Sequence, residues 1–461
     1  MDRRRFLKRA GLYAGAAASV PAALRGLLTR SALPPSLLDP TGQDASWTGG
    51  YGPLVEAGPE LALPERFRYQ KFGVEGTPLR DGTPTPRAHD GMAAFALPNG
   101  NIRLIRNHED SEPPSSATPI GHPALAYDAL AGGGTTSLEL RIEADSELEL
   151  VDAFVSLGGT IVNCAGGPTP WGTWLSCEEA TAGTRSGWSR EHGYVFEVPA
   201  RSGVQVSAVP LKAMGRFTHE AVAIDPVTGV VYETEDVAIR QSRSGFYRFI
   251  PDRPGILAAG GRLEMLAIRD EPNADLGEGV PVGERMPVAW VHIADPDPPE
   301  VADNRSAVFE QGREQGAAAF RRLEGCWHAA DSVYFHATTG GARRLGQVWR
   351  YLPGAEELEL FFESPAPEVL NRPDNLTMSP RGSLLICEDV AGTCSLRGLT
   401  PDGQIFDFAR NIINEREFAG ATFSPDGRTL FVNIQGDLKS RGPGHPGMTF
   451  AITGPWQEGL V

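Results

Sequence analysis

The chain reads as an all-β protein built as a six-bladed β-propeller. Three observations predict this: a hairpin-sized repeat that recurs six times, an abundance of turn-forming residues, and a scarcity of long amphipathic helices. The 54 glycines and 38 prolines favour many short strands joined by tight turns.

The repeat is an alternating strand, a Pro/Gly turn and a β-rich return strand. Three copies are sharp: Glu220 to Asp236 around Pro226 and Gly229, Asp374 to Asp389 around Pro380 and Gly382, and Ala419 to Asn433 around Pro425 and Gly427. A fourth runs from Asp90 to Glu109 through Pro98-Asn-Gly100. Two looser copies are Asn163 to Glu179 and Glu324 to His336. From Asn163 to Glu220 is 57 residues, from Glu324 to Asp374 is 50 and from Asp374 to Ala419 is 45, near the roughly 40–50 residues of a four-stranded blade. Outer strands are expected at Gly193–Val198, Gly245–Ile250 and Gln347–Leu352. The wide gap between Glu220 and Glu324 predicts one blade plus a long loop insertion over about 270–315, rich in Pro, Gly and acids. A seventh blade hidden near Met286–Ile293 is the alternative. Either Phe450–Ile452 or a strand near Phe67–Lys71 is expected to close the ring and remove its edges.

The first residues, Arg3-Arg4-Arg5-Phe6-Leu7-Lys8, follow the twin-arginine export pattern. The weakly apolar stretch behind them is broken by Pro21 and Arg25 and makes a poor membrane span. Residues 1–32 are therefore expected to be a signal segment, cleaved between Ala17 and Ala32, and 33–461 a single propeller domain. This predicts a periplasmic or secreted protein without stable membrane insertion, expected to act as a monomer. A net charge of −16 argues against nucleic acid and anionic membranes as partners. The 5 cysteines are too few for a disulfide framework, although Cys387 and Cys394 are close enough in sequence to pair.

In such a hairpin the first and last residues end at one edge. Glu220 opens one and Glu235-Asp236 close it; Asp374 opens another and Glu388-Asp389 close it. Asn107-His108-Glu109, Cys177-Glu178-Glu179 and Glu324 hold matching places. Inner strands of a propeller converge, so these carboxylates aim at one funnel, where their repulsion calls for cations. Oxygen-rich clusters suit calcium, magnesium, manganese or iron. Cys177 reads either as a buried core thiol or as a soft ligand that iron accepts and calcium does not. His219 and His108 are expected to support the site or pack, without ligating.

The segment Thr169-Pro-Trp-Gly-Thr-Trp-Leu-Ser-Cys177-Glu178-Glu179 resembles the PhoX-type alkaline phosphatase family, exported propellers. Arg216-Phe-Thr-His219-Glu220, Glu235-Asp236, Phe320-Arg-Arg322-Leu-Glu324 and Arg372-Pro-Asp374-Asn375 support it. The resemblance implies an iron and calcium site that hydrolyses a small-molecule phosphate ester, with Cys177 and Glu324 as iron ligands. Glu178, Glu220, Glu235, Asp236, Asp374 and Glu388 would be ligands or bridges to unassigned metals. Arg322, expected on the strand face of Glu324, would grip phosphate. Ala180 and Leu323 depart from the family pattern. A calcium-dependent lactonase-like hydrolase and a non-enzymatic calcium-binding propeller are the alternatives.

Overall fold

The computed structural model describes residues 50–142, 147–237 and 243–459. The expected signal segment lies outside them. All six repeats form antiparallel hairpins, with inner strands His89–Ala96, Asn163–Pro168, His219–Ile224, Leu323–Ala329, Pro373–Met378 and Phe418–Phe423. The Pro/Gly turns work as their chemistry demands. Gly100, Gly229, Gly382 and Gly427 take left-handed φ of 87°, 76°, 90° and 69°, where a side chain would be strained.

The arrangement is all-β and propeller-like. Each inner strand packs against the next and the sixth against the first, closing a ring. All six line one small space of about 20 Å³ beneath the hairpin ends, walled by Gly91, Ala165, Ala221, Gly325, Asn375 and Gly420. The strands come almost backbone to backbone there. A Cβ on Gly325 would meet the Asp374 carbonyl oxygen at 2.5 Å, and one on Gly420 the Asp90 carbonyl oxygen at 2.4 Å. The floor of the funnel is thus sealed by small residues.

The six hairpins fall into five hydrogen-bonded sheets, so six separate blades are not what the pairing alone delivers. The nine-stranded sheet carries the third and fourth hairpins. The strand Arg285–His292 joins them, pairing with Glu264–Ile268 at one end and Glu357–Glu359 at the other. This corrects the expectation of a loop insertion over 270–315. That stretch holds this strand and the α-helix Ala307–Glu314, which buries Val308, Phe309 and Gly312. Its apolar residues Met286, Val288 and Ile293 are buried in the core, but prolines and acids around them hide the alternation.

Both candidates for ring closure take part, as partners of each other. Arg68–Phe72 adds as the outer strand to Met448–Thr453, from Thr449↔Phe72 to Thr453↔Arg68. Arg106, fully buried, fastens this seam. It donates to the Gly73 carbonyl (2.9 Å), Thr449 Oγ1 (2.6 Å) and Thr136 Oγ1 (3.3 Å). Cys387 and Cys394, which could pair if oxidised, are not paired; all five cysteines are free and buried. Among the described residues no helix is long and apolar enough to cross a membrane.

Candidate metal centre

One backbone device repeats around the ring. The residue just past each second strand donates its N–H to the carbonyl of the residue just before the inner strand. Glu109 binds Ala88, Glu179 binds Val162, Asp236 binds Thr218, Thr338 binds Arg322, Asp389 binds Arg372 and Gln435 binds Glu417. Each inner strand also carries a β-bulge near its start. A bulge inserts an extra residue and re-aims side chains. In the first five hairpins the residue it displaces is Asp90, Cys164, Glu220, Glu324 or Asp374.

These two positions meet across neighbouring hairpins. Ligand atoms of Cys164, Glu179 and Glu220 lie within 4.8 Å of one another. So do those of Glu220, Glu324 and Asp374, of Asp374, Asp389 and Glu417, and of Asp90, Glu109 and Glu417. Glu220, Asp374 and Glu417 each belong to two groups, so the four groups form one chain linked by shared carboxylates.

The electrostatics of this chain call for positive charge. Burial, then the charges of Glu324, Asp374 and Asp90, push the Glu220 carboxyl well above the usual range. Burial first and acidic neighbours second do the same to Glu109, Glu179, Glu324 and Glu417. Burial raises Asp90 to about 6 and Asp374 to about 8. Both carboxylate oxygens of Glu220 are buried without a hydrogen-bond partner. A native protein rarely leaves such a group unsatisfied. Cations at the shared positions would satisfy it, and the donor sets fit them: three groups are all oxygen, and one adds the sulfur of Cys164.

The protein family model described as alkaline phosphatase PhoX matches residues 49–437. The chain belongs to the PhoX family. Among solved structures it is similar to PhoX of Pseudomonas fluorescens in complex with vanadate, a transition state analogue. The two share 19% identity over 90% of this chain and 99% of that one, with a TM-score of 0.68. At that identity the likeness is one of fold. A gluconolactonase from Xanthomonas campestris matches at 12% identity over 88% of this chain and 98% of its own, with a TM-score of 0.43. A search of curated protein sequences found no match.

On the PhoX-family fold, the residues read from the sequence divide into two sets. Glu220, Glu324 and Asp374 come together in the chain of acids. Asp236 stands at the equivalent edge, but its carboxylate is taken by Arg322, whose Nε and Nη2 reach it at 3.1 and 2.8 Å. Arg322 also donates from Nη2 to Glu324 (2.6 Å). It does not lie on the strand with Glu324, as expected, but one residue before it, with a left-handed φ of 51°. Burial would lower the Arg322 pKa, yet Glu324 and Asp236 together hold it above its ordinary value.

Cys177, Glu178, Glu235 and Glu388 are turned away, which corrects four expected ligands. Cys177 packs among Leu175, Val195, Phe217 and Val222, and burial pushes its thiol up. Glu178 accepts the N–H groups of Ile161, Gly193 and Tyr194 at 3.0, 2.8 and 3.2 Å and binds His192 Nδ1 at 2.6 Å. Glu235 accepts from Gly245 N–H and the Tyr247 hydroxyl, and Glu388 from Asn371 N–H and Arg397 Nε. These acids pin the loops that follow them, while the next residue faces the funnel. His219 and His108 are also committed elsewhere, to the carbonyls of Gly215 and Arg87.

Sequence reasoning aimed Glu109, Glu179 and Asp389 at the funnel without naming them as ligands, and missed Asp90, Cys164 and Glu417 as members of the groups. One signal was present. Asp90, Cys164, Glu220 and Glu324 are each followed by Gly or Ala, the small residues the crowded floor requires.

Proposed function

We propose that this protein is a metal-dependent hydrolase of phosphate monoesters, carried on a six-bladed propeller whose third and fourth blades share the strand 285–292. Family membership supports a phosphatase. The observation that carries the reading is the chain of linked acidic groups, with the unsatisfied Glu220 linking the Cys164 group to the all-oxygen groups and Arg322 at the rim.

Iron is assigned to the group holding Cys164, Glu179 and Glu220, because a thiolate is a soft donor. Calcium is assigned to the all-oxygen groups along Asp374, Asp389, Glu417, Asp90 and Glu109. Bound there, the ions supply charge neutralisation of the phosphoryl oxygens and acidify a bound water. The chain's own residues do the positioning. Asp236 clamps the Arg322 guanidinium through Nε and Nη2, which fixes the plane of its fork. Nη1 takes no partner among the described residues and is the donor left for a phosphoryl oxygen. Arg322 would thus stabilise charge that grows on the transferring group. Glu220, both oxygens uncommitted, links the Cys164 group to the next. The small-residue floor shuts the channel below and leaves one face for a small-molecule substrate. We place the working protein outside the cytoplasm, in the periplasm or secreted, on its twin-arginine start.

The test is elemental analysis of protein purified from an exporting host, with turnover of p-nitrophenyl phosphate. Iron and calcium with turnover are expected, and Cys164→Ala should lose iron. Protein that holds neither metal and leaves the ester intact overturns the reading.

A further inference from the structure

The funnel is not acidic all round. Where the second, third and fifth hairpins end on Glu179, Asp236 and Asp389, the fourth ends on Thr338. The loop that leaves Thr338 carries Arg343 and Arg344. Arg372 lies against it, its N–H donating to the Leu345 carbonyl at 2.8 Å. The two segments are in close contact: a Cβ on Gly346 would meet Pro373 Cδ at 2.2 Å. Arg372 in turn accepts the Asp389 N–H and stands two residues before Asp374, so this patch sits at the lip of the acidic groups.

Two features set these arginines apart. Arg87, Arg216, Arg321 and Arg416, around the same rim, each hold a carboxylate. Arg343, Arg344 and Arg372 are exposed, and their side chains have no hydrogen-bond or ion-pair partner among the described residues, in a chain of net charge −16. Arg344 also occupies left-handed backbone, φ 57°, away from the position before the inner strand where Ala88, Val162, Arg322 and Arg372 share that conformation, and glycine or asparagine is easier there. A strained residue that brings unpaired charge to the edge of a site points to a ligand.

Resting on the phosphatase reading, we propose that Arg343, Arg344 and Arg372 form a subsite for a second phosphoryl group on the leaving side of the substrate. Planar guanidinium forks match phosphoryl oxygens in pairs. Preferred substrates would then be phosphate anhydrides or bisphosphates, with one phosphoryl group at Arg322 and the acidic groups and the other on this patch.

The test compares kcat/KM for pyrophosphate and for p-nitrophenyl phosphate in the metal-loaded wild type and in Arg343→Ser/Arg344→Asn/Arg372→Asn. Asparagine tolerates the left-handed backbone, so the fold should persist. The ratio of pyrophosphate to p-nitrophenyl phosphate should fall about tenfold or more, as expected for losing charge-assisted hydrogen bonds. The triple Arg→Lys variant should recover part of it, because charge returns without the fork. An unchanged ratio overturns the subsite. If wild type hydrolyses neither compound, the phosphatase reading fails. Calorimetric binding of methylenediphosphonate then decides the subsite by itself: binding weakened about tenfold in the triple Asn/Ser variant upholds it, and equal binding rejects it.

Discussion

The fourth and fifth hairpins share one backbone and deliver opposite charge. Both have a left-handed arginine before a bulged inner strand, Arg322 in one and Arg372 in the other. In both, that arginine's carbonyl accepts an N–H from the end of the second strand. In the fifth hairpin the donor is Asp389, which joins Asp374 and Glu417. In the fourth it is Thr338, and Arg322 lies across Asp236 and Glu324. The backbone sets where groups meet; single residues at two repeated positions decide the charge each sector presents.

The largest effect should come from the acidic sector. Glu220→Gln is expected to reduce turnover by more than about a hundredfold and to strip bound metal, since a shared ligand is lost. The same change should raise the melting temperature of the chelated protein, because a permanently neutral side chain removes the repulsion with Glu324, Asp374 and Asp90. Metal content, kinetics and melts on one preparation check both. Next is Arg322→Lys, expected to reduce kcat about 10- to 100-fold with metal retained, because lysine keeps charge and loses the fork. Stripped metal in that variant would make Arg322 part of the acidic sector. Thr338→Asp would give the fourth hairpin the acid of the fifth. It should draw Arg322 away from substrate and raise KM several-fold at unchanged iron content.

A smaller effect separates the metal-free protein by pH. Asp90 and Asp374 are raised to about 6 and about 8 in the fold, above the unfolded value of about 4. Raised acids favour the fold below pH 4, and that contribution is lost as pH rises through 6 and 8. Chelated protein should therefore melt progressively lower from pH 5 to pH 9, and calcium should flatten the trend. A chelated melt independent of pH would show that the acids need no cations. The smallest change is Cys177→Ser, expected to cost about 1–2 kcal/mol of stability with metal content intact. Iron lost with Cys177 rather than Cys164 would reverse the assignment of the sulfur donor.

Much of this frame was legible. Pro-x-Gly turns marked the hairpins, and acids at both ends marked the edge. The fault was one residue. Strict alternation makes Glu178, Glu235 and Glu388 the strand ends that face inward, but the bulges shift the pairing and the next residue takes that place. A bulge leaves little local composition to read, beyond the Gly or Ala after Asp90, Cys164, Glu220 and Glu324. The strand 285–292 was hidden for a different reason. Pro287 and the surrounding acids read as loop, and besides the strand just before it, only Glu357–Glu359, distant in sequence, gives it a partner.

The seam that closes the ring sets the order of events in the life of the molecule. Its pairing joins Arg68–Phe72 to Met448–Thr453, partners far apart in sequence. The circle shuts only when both strands are in place, and such non-local pairing makes folding slow. The acids are spread from Asp90 to Glu417, and Asp90 meets Glu417 where the first hairpin comes against the sixth. The group of Asp90, Glu109 and Glu417 is therefore complete only once the ring has closed.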